Sequence, residues 1–156
     1  MAEETSAAVS SGPVTVAFEV PFAAGQSRPR FRARPFPAVY KPDRDREREA
    51  EVAAAFCAAA MRAGLGAKLP VAARGVPVAV LVRVFRRLPK STPKRVAEAP
   101  DVGKPDADNV AKLVMDALNG CAYEDDAQVT SLKVTKMPRA RVACDRMEVE
   151  VFYGRG

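Results

Sequence analysis

Apolar and polar positions divide the chain into seven regular segments. Val14-Thr-Val-Ala-Phe-Glu-Val20 is rich in β-branched residues and stops at Pro21, which predicts a strand. Residues 23–27 read as a turn-like link. Arg28-Pro-Arg-Phe-Arg-Ala-Arg34 places arginines at 28, 30, 32 and 34, and in an extended chain that spacing turns all four to one side. Asp43 to Gly64 predicts a helix that opens with alternating charges, becomes Ala-rich and stops at Gly64 or Gly66. Val52, Phe56, Ala59 and Ala60 fall on one face of it. Val76 to Phe85 is an apolar run with Arg83 embedded, as a buried strand would be. A second helix spans Asp108 to Asn119. Its apolar positions Val110, Leu113, Val114, Ala117 and Leu118 have the spacing of one buried face, and Gly120 stops it. Val129–Met137 and Val142–Tyr153 read as two further strands joined around Pro138-Arg139.

The order strand, strand, helix, strand, helix, strand, strand predicts a single α+β domain. It would have a mixed sheet of about five strands, two main helices on one side, and a closing antiparallel hairpin. Residues 1–12 are small and polar and are expected to be a disordered tail ahead of a domain over 13–156. Residues 86–104 form a long basic link with prolines at 89, 93 and 100, and a loop of this length in a small domain is often functional.

Composition adds a bias towards polyanionic partners. Lys and Arg number 25 against 19 Asp and Glu, for a net charge of +6 and a pI near 9.5. The charge is uneven: residues 101–126 hold seven acids and two bases, −5 in all, which leaves +11 on the rest. There is no His, which excludes Ser/His/Asp and Cys/His catalysis. No Gly-rich phosphate loop is present, and an EF-hand is excluded because Val110 occupies its fifth position with no Gly after it. Cys57, Cys121 and Cys144 are too few and too scattered for a disulfide framework or a zinc site, so free thiols are expected. The opening residues lack the apolar core of a signal peptide, and no apolar run approaches the roughly 20 residues of a membrane span. A soluble cytoplasmic protein is expected.

The chemistry concentrates between Lys104 and Gln128. Asp106 and Asp108 lie two apart before the second helix, so in an extended stretch both carboxylates point one way. Two such groups repel each other unless a cation lies between them, and hard oxygen ligands suit Mg²⁺. The helix rises about 16 Å, and the seven steps from Asn119 to Asp126 span up to about 23 Å. Asp125 or Asp126 can therefore return to the helix start. The same residues also fit plain structural roles. Asp106 and Asp108 suit a helix start, with Asp108 or Asn109 as cap. Asp108, Lys112 and Asp116 suit an i,i+4 ladder, and Asp125-Asp126 suits a turn.

The string Pro105-Asp-Ala-Asp-Asn-Val-Ala-Lys112, Asp116-Ala-Leu-Asn-Gly120 and Asp125-Asp-Ala-Gln-Val129 resembles the signature of the RusA family of Holliday junction resolvases. The close match covers about 25 residues, and Pro29-Arg-Phe-Arg, Tyr40-Lys-Pro and Val134-Thr-Lys-Met137 agree more loosely. The resemblance implies a RusA-like homodimer that cuts four-way DNA junctions with Mg²⁺, or Mn²⁺ in its place, in recombination and repair, with no small-molecule cofactor. It implies Asp106, Asp108 and Asp126 as metal-binding catalytic carboxylates and Lys112 as the catalytic lysine. Asn109, Asp116 and Asp125 match accompanying positions. Arg28, Arg30, Arg32, Arg34, Arg86, Arg87, Lys90 and Lys94 would bind the DNA backbone, although the arginine row also suits an edge strand protected by charge. The chain departs from the family in the 86–104 link, which is less densely basic beside Asp106. Two other readings of the same charges are a non-catalytic protein binding branched DNA and a nuclease acting on flaps or forks.

Overall fold

The computed structural model describes residues 13–36 and 38–154; the expected N-terminal tail lies outside them. The elements are β1 (Val14–Val20), β2 (Arg30–Arg32), β3 (Ala38–Tyr40), α1 (Asp43–Arg62), β4 (Val78–Phe85), β5 (Glu98–Ala99), α2 (Ala107–Leu118), a 3₁₀ turn (Asp126–Gln128), β6 (Val129–Lys136), β7 (Arg139–Ala140) and β8 (Arg146–Tyr153).

Alternation builds the main sheet. Val16, Phe18 and Val20 of β1, Val78, Val80, Val82 and Val84 of β4, and Met147, Val149, Val151 and Tyr153 of β8 all point inward and are buried. The opposite face is wet: Arg83 lies 3.8 Å from Glu148 and 3.5 Å from Glu150. β4 is therefore half-buried, with Ala79, Leu81 and Arg83 facing outward, and not buried on both faces as its apolar composition suggested.

The sheet has four strands in the order β1-β8-β4-β6, and it is mixed: β4 and β6 are parallel, the other pairs antiparallel. The expected closing hairpin does not form. β8 is inserted between β1 and β4, so β6 and β8 are not neighbours. Hydrophobic period fixes which face a strand buries, but not which strand lies beside it. The arginine segment joins no large sheet either; β2 pairs with β3 as a separate ribbon.

Both helices cover the apolar face. α1 packs on β1 and α2, and α2 also packs on β6. Phe56 meets Phe18 edge-to-face with ring centroids 6.0 Å apart. Val52, Phe56, Ala59 and Ala60 of α1, with Val110, Leu113, Val114, Ala117 and Leu118 of α2, are buried, matching the faces read from the sequence. Each fully buried Val or Leu contributes about 1.5–3 kcal/mol through removal from water.

The 86–104 link is fastened at several points. The Arg141 guanidinium donates to the carbonyls of Pro93 (2.7 Å), Val96 (3.2 Å) and Thr92 (3.3 Å), and β5 pairs with β7. No helix among the described residues is long and apolar enough to cross a membrane.

Candidate active site

Asp106 is the N-cap of α2, with extended backbone (φ −71°, ψ 148°), yet its side chain makes no capping hydrogen bond. The carboxylate instead faces solvent, 3.7 Å from the Lys104 ammonium. An exposed pair of this kind contributes about 0–1 kcal/mol and does not lock the group. Asp108 and Lys112 are exposed on the next turns, and among the described residues neither has an ion pair or a side-chain hydrogen bond. The Asp108–Lys112–Asp116 ladder is thus not made. Asp116 turns to other partners: its Oδ2 accepts from Gln26 Nε2 at 2.6 Å and from Lys41 Nζ at 3.1 Å.

Those contacts belong to a polar knot that sequence reading missed. Lys41 Nζ also donates to Glu49 Oε1 at 2.6 Å, and Gln26 Nε2 reaches the same oxygen at 3.4 Å. Burial alone would lower the Lys41 pKa, but the hydrogen bonds and charges of Glu49 and Asp116 outweigh it and raise it. The knot ties the link after β1, the end of β3, α1 and α2 together. Beside it, Gln26 N–H donates to the Asn109 carbonyl at 2.8 Å. A Cβ on Gly25 would lie 2.8 Å from Asn109 Cβ and 3.1 Å from Pro105 Cβ, so glycine permits this close approach. Ser27 donates through N–H (2.8 Å) and Oγ (3.0 Å) to the buried Asp45 carboxylate.

After α2 the chain turns at Gly120, whose φ of 87° favours glycine. Gly120 N–H donates to the Tyr123 carbonyl, while Cys121 and Ala122 carbonyls accept from Val71 and Ala72. Tyr123 is buried, and its hydroxyl donates to the Met115 carbonyl at 2.7 Å. This compact turn uses length that an extended return would need. Asp125 caps the 3₁₀ turn by accepting from Ala127 N–H at 2.9 Å. That bond, with contact to Asp126, lowers the Asp125 pKa. Asp126 is raised, first by side-chain contact with Asp125, then by desolvation and the charges of Asp125 and Asp116.

Asp106 and Asp108 lie at the start of α2, whereas Asp116 lies near its end, close enough for its charge to act on Asp126. Asp108 and Asp116 are separated by about 12 Å of helix rise. Among the described residues no three Asp, Glu, Cys or His side chains are gathered in a metal-holding group.

Gln128 holds the turn of Asp125 and Asp126 in place. Its Oε1 accepts from Glu124 N–H (2.9 Å) and Asp125 N–H (3.0 Å), and its Nε2 donates to the carbonyls of Ala73 (2.7 Å) and Val76 (3.0 Å). The capping-box spacing from Asp125 to Gln128 signals this role in the sequence.

The basic residues also divide. Arg30 and Arg32 lie on one face of β2 and are exposed, whereas Arg28 and Arg34 fall outside the strand, so the row is shorter than its spacing suggests. Lys90 and Lys94 are exposed on the link. Arg86 is turned inward, 3.3 Å from Asp101, whose side chain is fully buried. Arg87 is held by Asp145, which accepts from its N–H at 2.8 Å and lies 3.9 Å from its guanidinium.

One comparison covers a stretch of the chain in detail. It is 44% identical over 78 residues to a protein of Bacillus subtilis (strain 168) described as uncharacterized protein YqaN; the match takes in 42% of this chain and 55% of that one. The chain thus spans about half the length of that relative. The family model described as endodeoxyribonuclease RusA matches residues 21–151, which include every acid and base placed above from Gln26 to Asp145. With motif, mixed sheet and matched span in agreement, the chain belongs to the RusA endodeoxyribonuclease family.

Proposed function

We propose that this protein is a Mg²⁺-dependent endodeoxyribonuclease that resolves four-way DNA junctions by paired cuts, as a cytoplasmic homodimer serving recombination and repair. The observation that carries the reading is the uncapped Asp106 carboxylate beside Asp108, two exposed acids at a helix start with no structural partner that fixes them.

The donor chemistry fits the metal. Mg²⁺ takes oxygen ligands, keeps several waters and is usually bound through one or two carboxylates with substrate phosphate oxygens. Asp106 and Asp108 supply such a pair, and Asp126 is the third carboxylate of the family pattern. Mn²⁺ would be held by the same donors. When bound, the metal supplies Lewis-acid activation of water and of the scissile phosphate. Lys112 sits four residues beyond Asp108 with its ammonium free among the described residues, placed to steady charge on a phosphate or leaving oxygen. Asn109 holds the link at its carbonyl, Asp116 is bound by Lys41 and Gln26, and Asp125 caps the turn that carries Asp126. Exposed Arg30, Arg32, Arg34, Lys90 and Lys94 would bind the backbone without reading sequence. A junction needs two matched cuts, and a two-fold dimer presents two equivalent sites.

The test compares parent and Asp108→Asn on labelled four-way junction, flap and linear duplex, with and without Mg²⁺. The parent is expected to cut the junction only with metal. The variant should lose at least about 100-fold in rate, the size of one lost electrostatic contributor to catalysis, while still binding. A variant that cuts as fast as the parent refutes the metal role. Preference for flaps would move the substrate, and salt-sensitive binding without metal-dependent cutting would indicate a non-catalytic DNA-binding protein.

A further inference from the structure

Between the link after β1, the first two turns of α1 and the start of α2 lies an open cleft of about 630 Å³. Four cations line it: Arg28 from the link, Arg44 and Arg48 from α1, and Lys104 ahead of α2. Arg44 and Arg48 are four apart and so share one side of the helix. Two carboxylates also line it. Asp45 is 2% exposed and already accepts both hydrogen bonds from Ser27, so it faces its own partner. Asp106 is 3.7 Å from Lys104 at the other rim. Arg48 lies over the Phe22 ring at 4.7 Å. Arg28 and Arg44 are exposed, and among the described residues neither has an ion pair or a hydrogen-bonded side-chain partner. Glu47 and Glu51 flank Arg44 and Arg48 in an adjoining depression, but form no ion pair with them.

Cations held together without matching acids repel one another, and an anion in the cleft removes that repulsion. Guanidinium groups match phosphate oxygens in pairs. The cleft opens onto Asp106, so an anion seated there is next to the proposed metal site. We propose that the cleft seats a backbone phosphate flanking the one to be cut, with Arg28 and Arg44 as its direct contacts and Arg48 and Lys104 as its walls. The proposal rests on the nuclease reading above and adds to it the path of the strand: past Asp106, then between the β1 link and the start of α1. Along that passage the close approach at Gly25 and the Gln26–Asn109 hydrogen bond join the link to the start of α2.

The full chain carrying Arg28→Gln, Arg44→Gln or both is titrated with a labelled four-way junction in EDTA, across a salt series. Each single change should weaken binding by about five- to tenfold and lower the slope of log K against log salt by about 0.9, the value for one lost phosphate contact. Arg62→Gln, at the other end of α1 and about 27 Å away along the helix, should change neither. Arg28→Lys with Arg44→Lys should recover the slope, because the charge returns. Unchanged thermal unfolding of the glutamine variants confirms that the loss is at the contact. Glutamine variants that keep parental affinity and slope overturn the proposal. So does a result in which they lose inorganic phosphate by calorimetry yet bind the junction normally, for the cleft would then serve a free anion. A parent that binds the junction through these arginines but never cuts it sinks the nuclease reading and leaves the cleft standing. Parental cutting that the glutamine variants retain in full sinks the cleft alone.

Discussion

Asp101→Ala should be among the most damaging single changes outside the apolar core. The Asp101 side chain is wholly buried, and its Oδ1 lies 3.3 Å from Arg86 Nη1 and 3.8 Å from Lys136 Nζ. Its Oδ2 has no hydrogen-bond partner among the described residues. Lys136 also donates to the Gly103 carbonyl, so one cluster straps the 101–103 segment that delivers Lys104 and Asp106. Removing the carboxylate leaves two cations at 20% and 15% exposure facing each other. Losing one partner of a buried pair costs about 3–5 kcal/mol. Because both cations retain some access to water, the low end, about 3 kcal/mol, is expected here. For a domain of this size that lowers the melting temperature by about 6–12 °C. Urea unfolding gives the free energy, and a cycle with Arg86→Ala should show coupling above about 1 kcal/mol. Amide exchange at Gly103 to Asp108 should quicken in the variant. A loss below about 0.5 kcal/mol, or strictly additive effects in the cycle, would refute the strap.

Three further outcomes follow from the same contacts. Gly25→Ala forces a methyl against Asn109 and Pro105, so it should cost about 1–3 kcal/mol in a melting experiment; parental melting would show that the link yields freely. Gln128→Ala unpairs two N–H groups and two carbonyls, for a loss of about 2–4 kcal/mol, measured by urea unfolding; a loss under 1 kcal/mol would mean water replaces the amide. Burial, and then the neighbouring Cys57, push the Cys121 thiol up to about 11, so at pH 8 only about one part in a thousand is thiolate. Iodoacetamide should therefore label exposed Cys144 first and reach Cys121 only as pH rises, and equal labelling of the two at pH 8 in folded protein would contradict this.

The buried faces were legible because local period sets them. The five apolar positions named on α2, and the four named on α1, are buried as their spacing implies. Strand neighbours were not legible, since β8 reaches β1 and β4 through contacts that no local pattern encodes. The acids of the 101–126 island were visible as charge but not as roles. Asp101 proved to be a buried strap, and Asp116 is held by Lys41 and Gln26 from 75 and 90 residues away. Asp45 is buried, yet a charged residue in a charged helix start gives no sign of burial in the sequence. The capping-box spacing from Asp125 to Gln128 is a local signal, but the bonds of Gln128 to Ala73 and Val76 have none.

The position of β8 also governs when this protein can become itself. Two of the three ladders of the main sheet, those joining β1 and β4, need β8 between them, and Tyr153 pairs with both Val14 and Val78. During synthesis β1 emerges first and must wait until Arg146–Tyr153 has left the ribosome. Until then Val16, Phe18 and Val20 have no strand beside them, and β4 keeps an open edge available to other chains. Contacts so distant in sequence fold slowly. The newly made sheet is thus most exposed to aggregation in the interval before β8 arrives, and slower elongation ahead of residue 146 would lengthen that interval.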